Sequence, residues 1–186
     1  MKLAEGTFQG LHGLEVDLFR RILKGVGGYG VEIGCCDGFS SAVILEASDL
    51  HLTSIDPFIP DSMEASLVGS KERYYENMEQ FGNRAKLFFN YSTYVAIHDF
   101  FDIPPMDFLF IDGDHSLQGV QSDFGNWTPH LKTGGILAMH DARMGRDGSP
   151  NFHEGPSKVA RERVFARPGE WEVIGEAFTL VIARKL

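Results

Sequence analysis

Four side chains in two short motifs are the best placed to do chemistry. Asp112 and His115 lie in Phe110-Ile-Asp-Gly-Asp-His-Ser116, and His140 and Asp141 end the run Ile136-Leu-Ala-Met-His-Asp141. Each acid follows an apolar stretch directly, as a residue at the carboxyl end of a buried strand does. If those strands are neighbours, the carboxylates of Asp112 and Asp141 converge, with His140 beside them. Two or three such ligands with open positions suit Mg²⁺, Mn²⁺ or Ca²⁺ better than a closed zinc site. His115 opens the next helix at the same mouth, where an imidazole can serve as a general base.

A second group surrounds a glycine turn. In Val31-Glu-Ile-Gly-Cys-Cys-Asp-Gly-Phe-Ser40 an apolar run meets Gly34 and Gly38, and a helix-favouring stretch follows. The order reads as strand, tight turn, helix. Ser40 suits the N-cap, where free N–H groups can face a carboxylate or phosphate. Asp56 ends the second strand about 20 residues past the turn, the placing of a ribose-binding acid. A dinucleotide fingerprint needs three glycines, but Cys36 and Phe39 occupy the second and third places, and no P-loop spacing is present. Glu32, before the first glycine, suits a cationic or amino-bearing ligand better than a pyrophosphate.

The elements that must position these residues alternate along the chain. A helix spans about residues 12–25, with Leu14, Leu18 and Ile22 on its apolar stripe. Strands are expected at 30–33, 51–56, 86–90, 107–112 and 136–140, with helices near 40–47, 74–81, 93–100 and 117–131 between them. Trp171–Ile174 and Phe178–Ala183 form two further strands joined by Gly175-Glu176-Ala177. That connection is too short for a crossover, so it must be antiparallel. The fold class is therefore α/β, a Rossmann-like three-layer sandwich with a seven-stranded, mostly parallel sheet and an antiparallel C-terminal hairpin. Residues 142–155, including Arg143, Arg146 and His153, lack periodicity and read as a mobile loop over the acceptor side.

Composition narrows the classes. The chain has 186 residues, 43% hydrophobic and 23% charged, which fits one globular domain over 1–186. A net charge of −9 argues against a nucleic-acid partner. No apolar run approaches the roughly 18 residues of a membrane span. The opening residues Met1-Lys-Leu-Ala-Glu-Gly lack the apolar core of a signal peptide. Cys35 and Cys36 are adjacent, a poor disulfide pair, and are expected to pack as small apolar residues. A cytoplasmic setting is expected, and a homo-oligomer is compatible with the sequence.

Together, Val31-Glu-Ile-Gly-x-x-x-Gly-Phe-Ser40, Asp56, and the span from Phe110-Ile-Asp-Gly-Asp-His-Ser116 through Leu131-Lys-Thr-Gly-Gly135 to His140-Asp141 resemble class I S-adenosylmethionine-dependent methyltransferases. The likeness is to the small-molecule O-methyltransferases of the catechol and caffeoyl-CoA type and their bacterial relatives, over roughly residues 12–186. It implies that Gly34 and Gly38 approach the methionine moiety, and that Ser40 and Glu32 help hold its carboxylate and amino ends. By the same resemblance Asp56 binds the ribose and Ser92 lies near the adenine; Asp112, at its strand end, is read as shared between cofactor and metal. Two departures stand out: Cys36 replaces a glycine, and His140-Asp141 replaces the Asp-Asn or Asp-Asp of the metal-dependent members.

The expected reaction is transfer of the sulfonium methyl to a small-molecule hydroxyl, with a divalent ion on Asp112, His140 and Asp141 and with His115 taking the proton. A hydride-transferring dehydrogenase would need the missing glycines. A metal-dependent hydrolase using Asp112, His140 and Asp141 would leave the glycine turn and Asp56 idle. A non-catalytic nucleotide-cofactor-binding module remains open if Asp141 and His115 are dispensable.

Overall fold

The structure is a computed structural model that describes residues 1–60, 68–98, 104–143 and 153–186. Its strands are β1 (Gly27–Ile33), β2 (Asp49–Ile55), β3 (Ala85–Phe88), β4 (Met106–Ile111), β5 (Leu131–Met139), β6 (Trp171–Ala177) and β7 (Leu180–Lys185). They form one sheet in the order β3-β2-β1-β4-β5-β7-β6, in which β7 alone runs against its neighbours. The α-helices of the described residues are α1 (Gly13–Ile22), α2 (Phe39–Ala47), α3 (Lys71–Met78), α4 (Ser92–His98), α5 (Leu117–Trp127) and α6 (Glu154–Ala160).

Strand alternation divides the core between two faces. Phe108 and Phe110 point to the side covered by α1, α2 and α3, where they meet Phe19, Ile44 and Tyr74. Leu109 and Ile111 point to the other side, with Val95 of α4, Val120 and Trp127 of α5 and Val159 of α6. Both faces are apolar because crossover helices cover both, so the central strands read as unbroken hydrophobic runs.

What positions the site is register. Ile55, Ile33, Ile111 and Met139 are paired across β2, β1, β4 and β5. The next residues in each strand, Asp56, Gly34, Asp112 and His140, therefore form one row across the carboxyl edge. The ladder continues into that row: Gly34 N donates to Ile55 O at 2.9 Å, Asp112 N to Ile33 O at 2.9 Å and His140 N to Ile111 O at 3.1 Å. The chain reverses its direction of travel across the sheet between β1 and β4, the place where open α/β sheets form a crevice.

Several expected boundaries are corrected. The hairpin turns at Phe178-Thr179, not at Gly175-Glu176-Ala177. Gly175 lies inside β6 at a register shift, where a Cβ would stand 2.8 Å from Ile22 and 2.9 Å from Leu18. Phe178 takes the left-handed turn position at φ 49° and stacks on His12 at 4.6 Å. In α1 the buried stripe runs through Glu15, Leu18 and Phe19, while Leu14 is 53% exposed. Helix α6, continued by a π turn at Arg161–Phe165, occupies part of a stretch read as irregular. Residues 144–152 of that stretch, Arg146 among them, and Asp99 and Phe100 of the fourth expected helix lie outside the described residues. Among the described residues, no helix is long and apolar enough to cross a membrane.

Candidate functional site

The glycine turn is held from below and from the side. Gly34 sits at φ 81°, and a Cβ there would lie 2.1 Å from the carbonyl oxygen of Asp112. Glycine is thus demanded by the approach of β1 to the end of β4, before any ligand is considered. Helix α2 starts at Phe39 with Gly38, at φ 86°, as its N-cap. Ser40 is therefore not the cap: its side chain turns inward and donates to Glu32 Oε1 at 2.5 Å. Ser41 donates to Glu32 Oε2, as does Ser54 at 2.7 Å. Glu32 is 0% exposed, so its carboxylate faces three serines and not the cleft.

Asp56 also serves the turn. Its Oδ2 accepts from the N–H groups of Cys35 and Cys36, each at 2.9 Å, and its Oδ1 from Phe58 N at 2.6 Å. Asp37, which sequence reasoning left unused, is buried and accepts from Ser70 N at 2.7 Å and Phe8 N at 3.0 Å. It ties the N-terminal segment and the start of α3 to the turn. Both cysteines are free thiols. Burial and then the Asp37 charge push the Cys36 thiol up to about 12, so it carries no reactive thiolate at neutral pH. Ser92 opens α4 and donates to Asp123, a second unanticipated acid buried on α5.

Glu32 gives the first testable consequence. Burial chiefly, with a smaller push from the Asp112 charge, raises its carboxyl to about 7 against the donating serines. The folded value lies above the ordinary 4.5, so the fold favours the protonated acid. The stability contributed by Glu32 is then full below about pH 4.5 and is lost as pH rises through 7, by roughly 3 kcal/mol in total. Glu32→Gln should remove that share of the fall and leave the similar share of Asp123, whose carboxyl burial also raises to about 7. Urea midpoints at pH 5, 6, 7 and 8 in the presence of chelator measure it, and parallel profiles for parent and variant would show that Glu32 is not the titrating group.

The second group converges at the ends of β4 and β5. His140 Nδ1 lies 3.2 Å from Asp112 Oδ1 and 3.4 Å from Asp141 Oδ2. His115 Nε2 lies 3.5 Å from Asp112 Oδ1 and 3.3 Å from Asp141 Oδ2. Asp141 reaches back because its backbone is left-handed, at φ 49°, a conformation aspartate tolerates better than most residues. His153, at the N-cap of α6, packs against His115 with the rings tilted by 32° and their centroids 4.3 Å apart. The sequence placed His153 only in a covering loop. Gly155 makes the contact between them: a Cβ there would lie 2.4 Å from His115 O.

The charges at this cluster support one another. Burial would raise the Asp112 carboxyl, but His140 and His115 outweigh it and hold the group below its usual range. Asp141 is held lower still, again by both imidazoles against burial. Burial would lower His140, yet Asp112, Asp141 and Glu15 raise it well above the ordinary imidazole value. Ligand atoms of Asp112, His140 and Asp141 all lie within 4.8 Å of one another. Adjacent ligands of an octahedral ion at 2.0–2.6 Å are separated by about 2.8–3.7 Å, so a donor set with contacts of 3.2 and 3.4 Å fits a divalent ion. His115, Asp141 and His153 form a second group of this kind, sharing Asp141.

Comparison with known proteins follows the same lines. A family model described as "Methyltransferase domain" matches residues 31–142, more than half of the chain. An uncharacterized protein of Acanthamoeba polyphaga mimivirus is 29% identical over 153 residues, covering 78% of this chain and 66% of its own length, just under two thirds. Among solved structures, an O-methyltransferase from Bacillus cereus in complex with SAH aligns at TM-score 0.65 and 16% identity. That alignment covers 99% of this chain and 84% of the other. An rRNA methylase from Streptococcus thermophilus aligns at TM-score 0.59 and 12% identity, over 92% and 94% of the two chains. Identities this low establish the shared fold.

Proposed function

Because the chain belongs to the methyltransferase-domain family, we propose that it is an S-adenosylmethionine-dependent methyltransferase acting on a small-molecule hydroxyl with the help of a divalent metal ion. One observation carries the reading. Asp56, Gly34, Asp112 and His140 form a single row at the reversal between β1 and β4, and Asp141 and His115 close over its β5 end. A glycine turn with an acid placed for a ribose on one side, and a convergent carboxylate–imidazole set on the other, supports methyl transfer to a bound hydroxyl.

Each residue has a task in this proposal. Gly34 and Gly38 let the backbone lie against the methionine moiety, and Glu32 with Ser40 braces that backbone from inside. Asp56 Oδ1 has one acceptor site left beyond Phe58 N and would take a ribose hydroxyl. Ser92 would stand near the adenine. The bound cofactor supplies a methyl on a positively charged sulfur, already a good leaving group. Asp112, His140 and Asp141 would hold the ion, whose chemistry is to bind the acceptor oxygen and lower its pKa. The two carboxylates suit Mg²⁺ and Mn²⁺ alike, and the imidazole shifts the set toward a transition-metal ion. His115 would receive the hydroxyl proton at Nε2, where the two carboxylates offset the charge that results. The protein's main contribution is positioning.

A small acceptor is favoured over RNA because a net charge of −9 offers little to a phosphate backbone. The first test is binding. Adenosylhomocysteine at 100 times its dissociation constant should stabilise the fold by about 2.7 kcal/mol, a rise of roughly 5–10 °C in midpoint. NAD should produce none. A shift with NAD and none with adenosylhomocysteine would overturn the proposal.

A further inference from the structure

The site leaves one buried charge without a task. Glu15, on α1, is 0% exposed and reaches into the end of the sheet from the N-terminal helix. Its Oε1 accepts from Thr179 N at 3.0 Å and from Thr179 Oγ1 at 2.9 Å. Its Oε2 accepts from His12 N at 2.7 Å and faces His140 Nε2 at 3.2 Å. A carboxylate offers about four acceptor sites, so these four contacts fill it. Capping α1 does not by itself require a charge, since glutamine serves at the third position of a capping box. Four donors around four acceptor sites leave no partner for an acid proton, and glutamine would keep only one accepting oxygen.

His140 Nε2 faces acceptors. Glu15 is one, and Thr179 Oγ1, 3.4 Å away, has already given its proton to Glu15. The Nε2 nitrogen therefore carries hydrogen. On the other side of the ring, Nδ1 faces Asp112 and Asp141. In a neutral imidazole one nitrogen holds the proton and the other a lone pair, and the partner of the first decides which.

We propose that Glu15 is a positioning residue for His140: by accepting from Nε2 it turns the Nδ1 lone pair toward Asp112 and Asp141 and makes Nδ1 the third ligand of the divalent ion. The inference rests on the metal reading above. It gives a task to two elements that supply no ligand, α1 through Glu15 and the β6–β7 turn through Thr179. Ala142 N and Arg143 N both donate to Thr179 O, at 3.0 and 3.1 Å, so the same turn also holds the backbone just after Asp141.

The test uses the full chain. In parent protein loaded with Zn²⁺, a diamagnetic ion that imidazole binds well, long-range ¹H–¹⁵N spectra should show His140 protonated at Nε2 and unprotonated at Nδ1. Mn²⁺ titration followed by electron paramagnetic resonance should show Glu15→Gln binding the ion roughly 10–100-fold more weakly, the usual effect of losing such a carboxylate partner. Adenosylhomocysteine affinity without metal should match the parent. Thr179→Val, which removes the Thr179 Oγ1 contacts with Glu15 and with His140 Nε2 but leaves Glu15 on His140, should weaken Mn²⁺ far less.

Equal Mn²⁺ affinity in Glu15→Gln, or an equal loss in Thr179→Val, would overturn the positioning role, as would an Nδ1 proton in the loaded parent. If Glu15→Gln does not fold, the parent spectra decide alone. A parent that binds Mn²⁺ with Nδ1 protonated defeats only this inference. A parent that binds no Mn²⁺ defeats the metal reading and the inference with it.

Discussion

Asp141→Asn is expected to lower methyl transfer by roughly 10²–10³-fold while adenosylhomocysteine binds as it does to the parent. The variant keeps the side-chain size, and asparagine accepts the left-handed backbone at φ 49° as readily as aspartate, so the fold should survive. What is lost is a charge placed 3.3 Å from His115 Nε2 and 3.4 Å from His140 Nδ1. Losing a charged ligand on an ion that polarises the acceptor costs several kcal/mol in the transition state, and each 1.36 kcal/mol is about tenfold in rate. His115→Ala should fall by about 10²–10⁴-fold, the range of a lost general base, and least at high pH where the acceptor ionises unaided. Initial rates with adenosylmethionine and a panel of phenolic and sugar-bearing acceptors, with and without Mn²⁺, separate the two roles. Turnover by the parent that survives chelation, matched by an equally active Asp141→Asn, would remove the ion from the mechanism.

The other large effect is on the fold. Gly34→Val should yield no folded protein. The substitution places a branched side chain at φ 81° with its Cβ 2.1 Å from Asp112 O, and neither the strand end nor the turn can withdraw. Backbone strain and a main-chain clash together belong with the rare substitutions that cost more than about 4–5 kcal/mol, against a total stability of about 5–15 kcal/mol. Gly25→Ala makes the comparison, since it shares a positive φ of 77° but its Cβ would meet open space. That variant should lose only about 1–2 kcal/mol. Circular dichroism melts and soluble yield measure both. A Gly34→Ala protein melting near the parent would contradict the packing of β1 against β4.

The alternation of apolar runs and glycine stops determined the α/β class, the seven strands and the antiparallel end, because periodicity and loop length are local properties. The placing of Asp56, Asp112, His140 and Asp141 at strand ends followed from the same local rule. Register between strands is not local. Only the folded sheet sets Ile55, Ile33, Ile111 and Met139 in one line and so brings Asp112 beside His140. Side-chain direction also escaped the linear pattern. Ser40 has the composition of a cap, but Glu32 pointing into the core draws its hydroxyl inward and leaves the cap to Gly38. Glu15 is the sharpest case. It occupies an apolar stripe with Leu18 and Phe19, and a charge in such a stripe was a readable signal. Its partner His140, however, lies 125 residues along the chain. A buried carboxylate is stable only when its acceptor sites are filled, and which donors fill them is decided by tertiary contact alone.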